Sequence, residues 1–254
     1  MGKGIGRRKF LGTVGAAAAG AGLAGSAAAK AAPKPDDTTG QRAATAPAPP
    51  AHEHKQPQPG GDPNQAWLFF NDQEAAFITA AVDVLIPADD AGPGGVESGV
   101  VHYIDRQLAG AFGTGARMYL SGPWGEGTPQ QGYQLPLIPQ RLYRVAMRDA
   151  DAVLRAANGV TFTQLDPQAR SQFLAALQSG ATNLRQVPGK AFVDMLLANA
   201  IEGYFADPAY GGNRDMAAWK MIGFPGTRGA YADEIVSYRN KPFPAQPTSL
   251  ADLQ

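Results

Sequence analysis

The sequence contains no cysteine and only three histidines. The first absence excludes disulfides, thiolate catalysis, iron–sulfur ligation and Cys-x-x-Cys-His haem attachment in this chain. The second leaves little for a metal centre, because His52 and His54 precede the apolar part of the sequence and His102 stands alone after them. No Gly-x-Gly-x-x-Gly follows a strand pattern and opens a helix, so a Rossmann-type flavin or nicotinamide cradle is not expected. Convincing period-two strand runs are also missing.

Charge is balanced on paper, with 22 basic and 22 acidic residues. Four of the bases, Lys3, Arg7, Arg8 and Lys9, sit at the very start. Without them the count is 22 − 4 = 18 against 22, so the remaining chain is mildly acidic. No later Lys/Arg cluster offers a footprint for nucleic acid or for an anionic membrane surface.

What the start does have is a twin-arginine pattern, Gly6-Arg7-Arg8-Lys9-Phe10-Leu11. The Ala/Gly run that follows, residues 11–29, has only Leu11, Val14 and Leu23 as strongly apolar residues, and five glycines interrupt it. That is too weak for a stable transmembrane helix. A basic start, low hydrophobicity and small residues at Ala27-Ala28-Ala29 fit an export signal cleaved after Ala29, with Ala32 as an alternative. Arg7, Arg8, Phe10 and Leu11 are the expected targeting residues, and the expected location is the periplasm. Residues 30–65 carry eight of the 21 prolines and almost no large apolar side chain, which predicts a disordered tether. Trp67-Leu68-Phe69-Phe70 then opens a domain expected over 66–254.

That domain reads as mainly α, an irregular set of five to six helices joined by long Gly/Pro/aromatic loops. Asn71 and Glu74 have capping-box spacing, and Phe77, Ile78, Ala81, Val82, Leu85 and Ile86 form a helical stripe stopped by Pro87. A second helix is predicted over 97–109, with Val100, Val101, Ile104 and Leu108 inward. A third, over 140–157, is expected to bury Leu142, Val145, Val153 and Leu154. Asp166-Pro167 caps a fourth, which runs through Phe173, Leu174 and Leu177 to Gly180. Phe192, Val193, Leu196, Leu197, Ala200, Ile201, Tyr204 and Phe205 form the clearest stripe, closed by Asp207-Pro208. A short helix near 215–221 follows. The connections 110–139 and 206–230 are long and rich in Gly, Pro and aromatics, a composition that goes with functional loops.

Candidate chemistry is sparse. Asp89-Asp90 could be a carboxylate pair or part of a cation loop, but the spacing is not that of an EF-hand and a capped turn explains it better. His102 is the only possible base for nucleophilic catalysis, and a hydrogen-bonded structural role suits a lone histidine better. Tyr210 through Asp215 and Trp219 through Gly226 are the densest unusual run. There Trp219 and Ile222 close the core, or Trp219, Phe224 and Tyr210 anchor a protein interface together with Trp124 and Tyr133 from the earlier loop.

At Leu85–Gly94 running into Val100–Leu108, at Gly132-Tyr133-Gln134, and at Glu202–Pro208 through Gly226, the chain resembles the gluconate 2-dehydrogenase subunit 3 family. The likeness covers most of residues 72–230. It implies an accessory subunit without catalytic residues or cofactor of its own. In such complexes a glucose–methanol–choline-type large subunit carries FAD, and a multihaem cytochrome c subunit carries haem c. The small subunit implied here assists maturation of the flavoprotein and takes it through the twin-arginine translocase. Competing readings are a stand-alone periplasmic enzyme using Asp89, Asp90, Glu97 and His102, and a periplasmic binding protein.

Overall fold

The computed structural model describes residues 66–125, 127–244 and 246–253. The expected signal, with Arg7, Arg8, Phe10 and Leu11, and the expected tether lie outside these residues. Among the described residues there are seven α-helices and no strands, only two isolated bridges. The helices are α1 (Asp72–Leu85), α2 (Val100–Ala109), α3 (Pro139–Asn158), α4 (Pro167–Ser179), α5 (Gly189–Phe205), α6 (Ala217–Ile222) and α7 (Ala232–Ser237). The mainly α expectation therefore holds, with one helix more than anticipated.

Local rules account for most helix ends. The Asn71 side chain accepts from the Glu74 N–H at 2.9 Å, and Glu74 returns the bond to the Asn71 N–H at 3.0 Å. Asp166 accepts from the Ala169 N–H at 2.8 Å at the start of α4. Gly159 and Gly180 end α3 and α4 in the left-handed region. Helix α2 starts at Val100 and not at the expected residue 97, because Gly99 sits at φ +80 and breaks the helical run. Glu97 instead accepts from the Gly94 N–H at 3.3 Å within the preceding turn.

The core lies where α1 and α5 flank α4 and α2 runs along α5, with α3 closing the side. Phe77 stacks on Phe162 at 4.3 Å, and Phe192 meets both Phe77 and Tyr143 edge-on. Two details of the stripes differ from expectation. On α3 the buried face is Leu142, Tyr143, Ala146, Met147, Ala150 and Leu154, while Val145 and Val153 are only half-buried. The face is centred on Tyr143, whose hydroxyl donates to Asn199 Oδ1 at 2.8 Å inside the core. On α5, Ile201 and Phe205 leave the interior and are 37% and 39% exposed. No described helix is long and apolar enough to cross a membrane.

The chain enters the domain through a strap, residues 67–70, laid over α2. Asp105, buried on α2, accepts from the N–H groups of Leu68, Phe69 and Phe70 at 2.8, 3.0 and 2.9 Å. Trp67 stacks on His102 one turn earlier, and the Arg144 guanidinium covers the Phe69 ring at 4.3 Å. Phe70 itself is buried in the core.

Candidate functional site

The C-terminal half of α5, the start of α2 and the loop 206–216 converge in one knot. Its closeness depends on missing side chains. A Cβ on Gly203 would lie 2.7 Å from the Tyr103 ring, and one on Gly212 would lie 2.0 Å from the Gly203 carbonyl oxygen. Only glycine lets the loop lie on α5 and α5 lie on α2 at this distance. Tyr204 adds a tie across the chain by donating to the Pro93 carbonyl at 2.9 Å.

Asn213 locks the loop. It is fully buried with φ +44, donates through Nδ2 to the Ala206 carbonyl and accepts at Oδ1 from the Ala218 N–H, both at 2.9 Å. Asn tolerates the left-handed region better than most residues, and here its side chain satisfies two backbone groups. Asp215 and Met216 follow at φ +56 and +54. Each such non-glycine residue costs about 1–2 kcal/mol, so the knot holds the loop in a conformation that the loop alone disfavours.

Beyond the knot several large apolar side chains are exposed, interleaved with the charged Glu202, Asp215 and Lys220. Ile201 and Phe205 stand one turn apart on α5, and Tyr210, Met221, Ile222 and Phe224 are exposed on the loop and around α6. Trp219 lies beneath them, 5% exposed, donating its indole N–H to the Phe205 carbonyl at 2.8 Å. Phe224 meets the Trp219 ring edge-on at 5.1 Å. Of the five aromatic anchors expected from sequence, Trp219 is therefore mostly inside the fold, as the core-closing alternative had it. Ile222, paired with it in that alternative, is 56% exposed. Tyr210 and Phe224 present their rings outward at 50% and 43%. Trp124, 38% exposed, and Tyr133 belong to the separate 110–138 connection. Tyr133 donates to the Leu137 carbonyl at 2.7 Å, and burial pushes its phenol up to about 12. Among the described residues no ring contact joins Trp124 or Tyr133 to Tyr210, Trp219 or Phe224.

Of the candidate catalytic groups, Asp89, Glu97 and His102 are engaged in local contacts, and Asp90 is exposed on its turn. Asp89 accepts from the Ala91 N–H at 2.9 Å in a turn closed by reciprocal Asp89–Gly92 backbone bonds. His102 stacks on Trp67 with ring centroids 4.7 Å apart. Burial, then the Arg214 and Arg106 charges, hold its pKa below the usual value, with Asp105 opposing. Burial and then the neighbouring Glu202 push Tyr103 up to about 12, so it remains a neutral phenol. Among the described residues no three His, Asp or Glu side chains are grouped as for a metal ion.

Sequence reasoning missed Asp105 and Asp207. Asp207 is buried and accepts four bonds: the Ala209 N–H, Ser249 Oγ, Thr227 Oγ1 and the Leu250 N–H, at 2.9, 2.7, 3.2 and 2.8 Å. The Asp-Pro pair signalled only the local cap.

Fold and surface together define an all-α domain whose buried Asp105, Asp207 and Asn213 bind backbone groups and whose α5–α6 end exposes several large apolar side chains. The chain belongs to the gluconate 2-dehydrogenase subunit 3 family, whose model matches residues 72–226. It is thus of a kind found as one subunit of a gluconate 2-dehydrogenase complex, which implies other subunits beside it. No curated protein and no solved structure matches the chain.

Proposed function

We propose that this chain is the accessory small subunit of an FAD-dependent gluconate, sugar or polyol dehydrogenase. A large glucose–methanol–choline-type subunit carries the flavin and oxidises the substrate, and a multihaem cytochrome c subunit takes the electrons. The small subunit braces the flavoprotein during maturation and lends it the twin-arginine signal, so that both reach the periplasm folded and together. Periplasmic location by the twin-arginine translocase, with Arg7, Arg8, Phe10 and Leu11 as the address, is part of the same proposal.

The observation that carries the reading is the set of exposed apolar side chains at the α5–α6 end, which lies inside the span matched by the family. Aromatic side chains and methionine, here Tyr210, Phe224 and Met221, are enriched in subunit interfaces. They need no rearrangement to bind, because Asn213 and Trp219 already fix the loop and helix that bear them.

The test is co-purification from the periplasm of cells carrying the full chain and its partner. Wild type should bring down an FAD-containing protein, and the pair Ile222→Ser with Phe224→Ala should lower the yield about tenfold or more, while the melting temperature falls only by the few degrees that the Phe224–Trp219 ring contact is worth. Changing Arg7 and Arg8 to Lys should leave the partner's activity in the cytoplasm. Full periplasmic flavoprotein activity without this chain's arginines would defeat the co-export part. Unchanged capture by the double variant would defeat the interface.

A further inference from the structure

The family match ends at residue 226, and the chain beyond it makes a closed excursion. Gly226 and Thr248 form a parallel bridge, with the Thr227 N–H donating to the Thr248 carbonyl at 2.7 Å. Gly226 sits at φ +79, and a Cβ there would lie 2.2 Å from the Thr248 carbonyl oxygen, so the two segments of the base touch backbone to backbone. The Asp207 carboxylate reaches both sides of this base at once, taking Thr227 Oγ1 from one side and Ser249 Oγ and the Leu250 N–H from the other. Gly226 and Ser249 are buried, whereas none of the described residues from Thr227 to Thr248 is.

Between these ends the excursion holds itself together. Arg228 pairs with Glu234 at 3.7 Å and lies over the Phe243 ring at 5.1 Å. Tyr231 and Tyr238 both meet Phe243 edge-on. The cluster borders an open surface cleft of about 410 Å³ between Arg228, Asp233, Tyr238 and Phe243. Helix α7 makes no extensive contact with another helix and turns Ile235 and Val236 outward, 70% and 79% exposed.

We infer that residues 228–247 are a latched arm: one unit that opens and closes on the helical domain when the base formed by Thr227 and Thr248–Leu250 lets go, with Asp207 as the latch. A segment with no buried residue has little to hold it shut except its base, where Thr227 Oγ1, Ser249 Oγ and the Leu250 N–H end on one carboxylate beside the Thr227–Thr248 and Thr248–Pro225 backbone bonds. The arm's internal contacts join arm residues only, so they survive opening and make it move as a piece. Opening uncovers the Asp207 carboxylate and frees Ser249 and Leu250, while α1–α5 keep every contact that forms the core. This inference stands on the geometry of the arm and does not depend on which protein the domain binds.

Hydrogen exchange on the full chain, read amide by amide, tests it with Asp207→Asn and with Ser249→Ala, the milder variant. In the wild type, the amides of Thr227, Thr248 and Leu250 at the base should open with one common equilibrium, well above that of Ile78, Ile104 and Leu196 in the core. Asp207→Asn should speed exchange of those base amides together by about tenfold or more, as expected for losing bonds to a charged acceptor. Ser249→Ala should do the same by less, and core amides should not change in either variant. The Ile235 and Tyr238 amides, bonded to Tyr231 and Glu234 within the arm, should keep their wild-type rates, because the arm moves intact. Equal acceleration of core and base would overturn the inference, since the arm would then be part of one cooperative unit. So would unchanged base amides in both variants, or loss of the Ile235 and Tyr238 protection along with the base.

Discussion

Replacing Asp105 by Ala should cost the domain about 3 kcal/mol. The Phe70 N–H loses its acceptor in the interior, and an orphaned buried donor costs about 1–3 kcal/mol. The Leu68 and Phe69 bonds are only part-buried, so their N–H groups recover water and lose about 0.5–1 kcal/mol each. For a domain of this size each kcal/mol lowers the melting temperature by about 2–4 °C, which puts the fall at about 6–12 °C. Asp105→Asn keeps one carbonyl oxygen in place and should lose less than the Ala variant, while its amide group faces N–H donors where an acceptor stood. Thermal denaturation followed by circular dichroism gives the stability, and exchange of the Phe70 amide shows whether the strap is the part released. A loss below about 1 kcal/mol in Asp105→Ala would refute the reasoning, because it would mean that water serves the three N–H groups as well as the carboxylate does.

Other consequences are equally direct. Gly203→Ala places a methyl group 2.7 Å from the Tyr103 ring, so overpacking should destabilise the fold by about 1–3 kcal/mol, and an unchanged melting temperature would contradict the knot. His102, depressed mainly by burial and then by Arg214, should titrate below its ordinary 6.5 in an NMR pH series, and Arg214→Gln should raise its midpoint. The folded protein then takes up this proton at lower pH than the unfolded chain does. Its contribution to stability is constant above about 6.5 and falls as pH drops from there to the folded midpoint. A midpoint at or above 6.5 would reverse that sign.

Helix positions were legible where a local rule writes them into neighbouring residues. Asn71 with Glu74, and Asp166 with Pro167, carry their caps within one turn, and the α5 stripe announces a buried helix. The limits of that legibility are also physical. A helical stripe says which side chains share a face but not how far a partner element covers it, so Ile201 and Phe205 continue the α5 pattern after the interior has ended. Glu97 fits a helical run, yet the left-handed Gly99 stops the helix short of it. Helix α7 was invisible because its two aliphatic residues are adjacent and face solvent, leaving no period to read. Asp207 was legible as the cap of Ala209 but not as the acceptor of groups 20 and 42 residues away. The aromatic candidates divided in the same way: composition marked Tyr210, Trp219 and Phe224 as unusual, and only packing separates the buried indole from the two exposed rings.

The strap over α2 has a mechanical consequence. Tension applied to the chain ahead of Trp67 meets three N–H donors from consecutive residues, all ending on the two oxygens of one side chain. Behind those bonds Phe70 is buried in the core, so a pull must break them and extract the Phe70 ring before it reaches α1. The N-terminal segment is thus fastened in the middle of a buried helix, so a pull on it drags the folded domain as a whole and does not peel α1 away from its end.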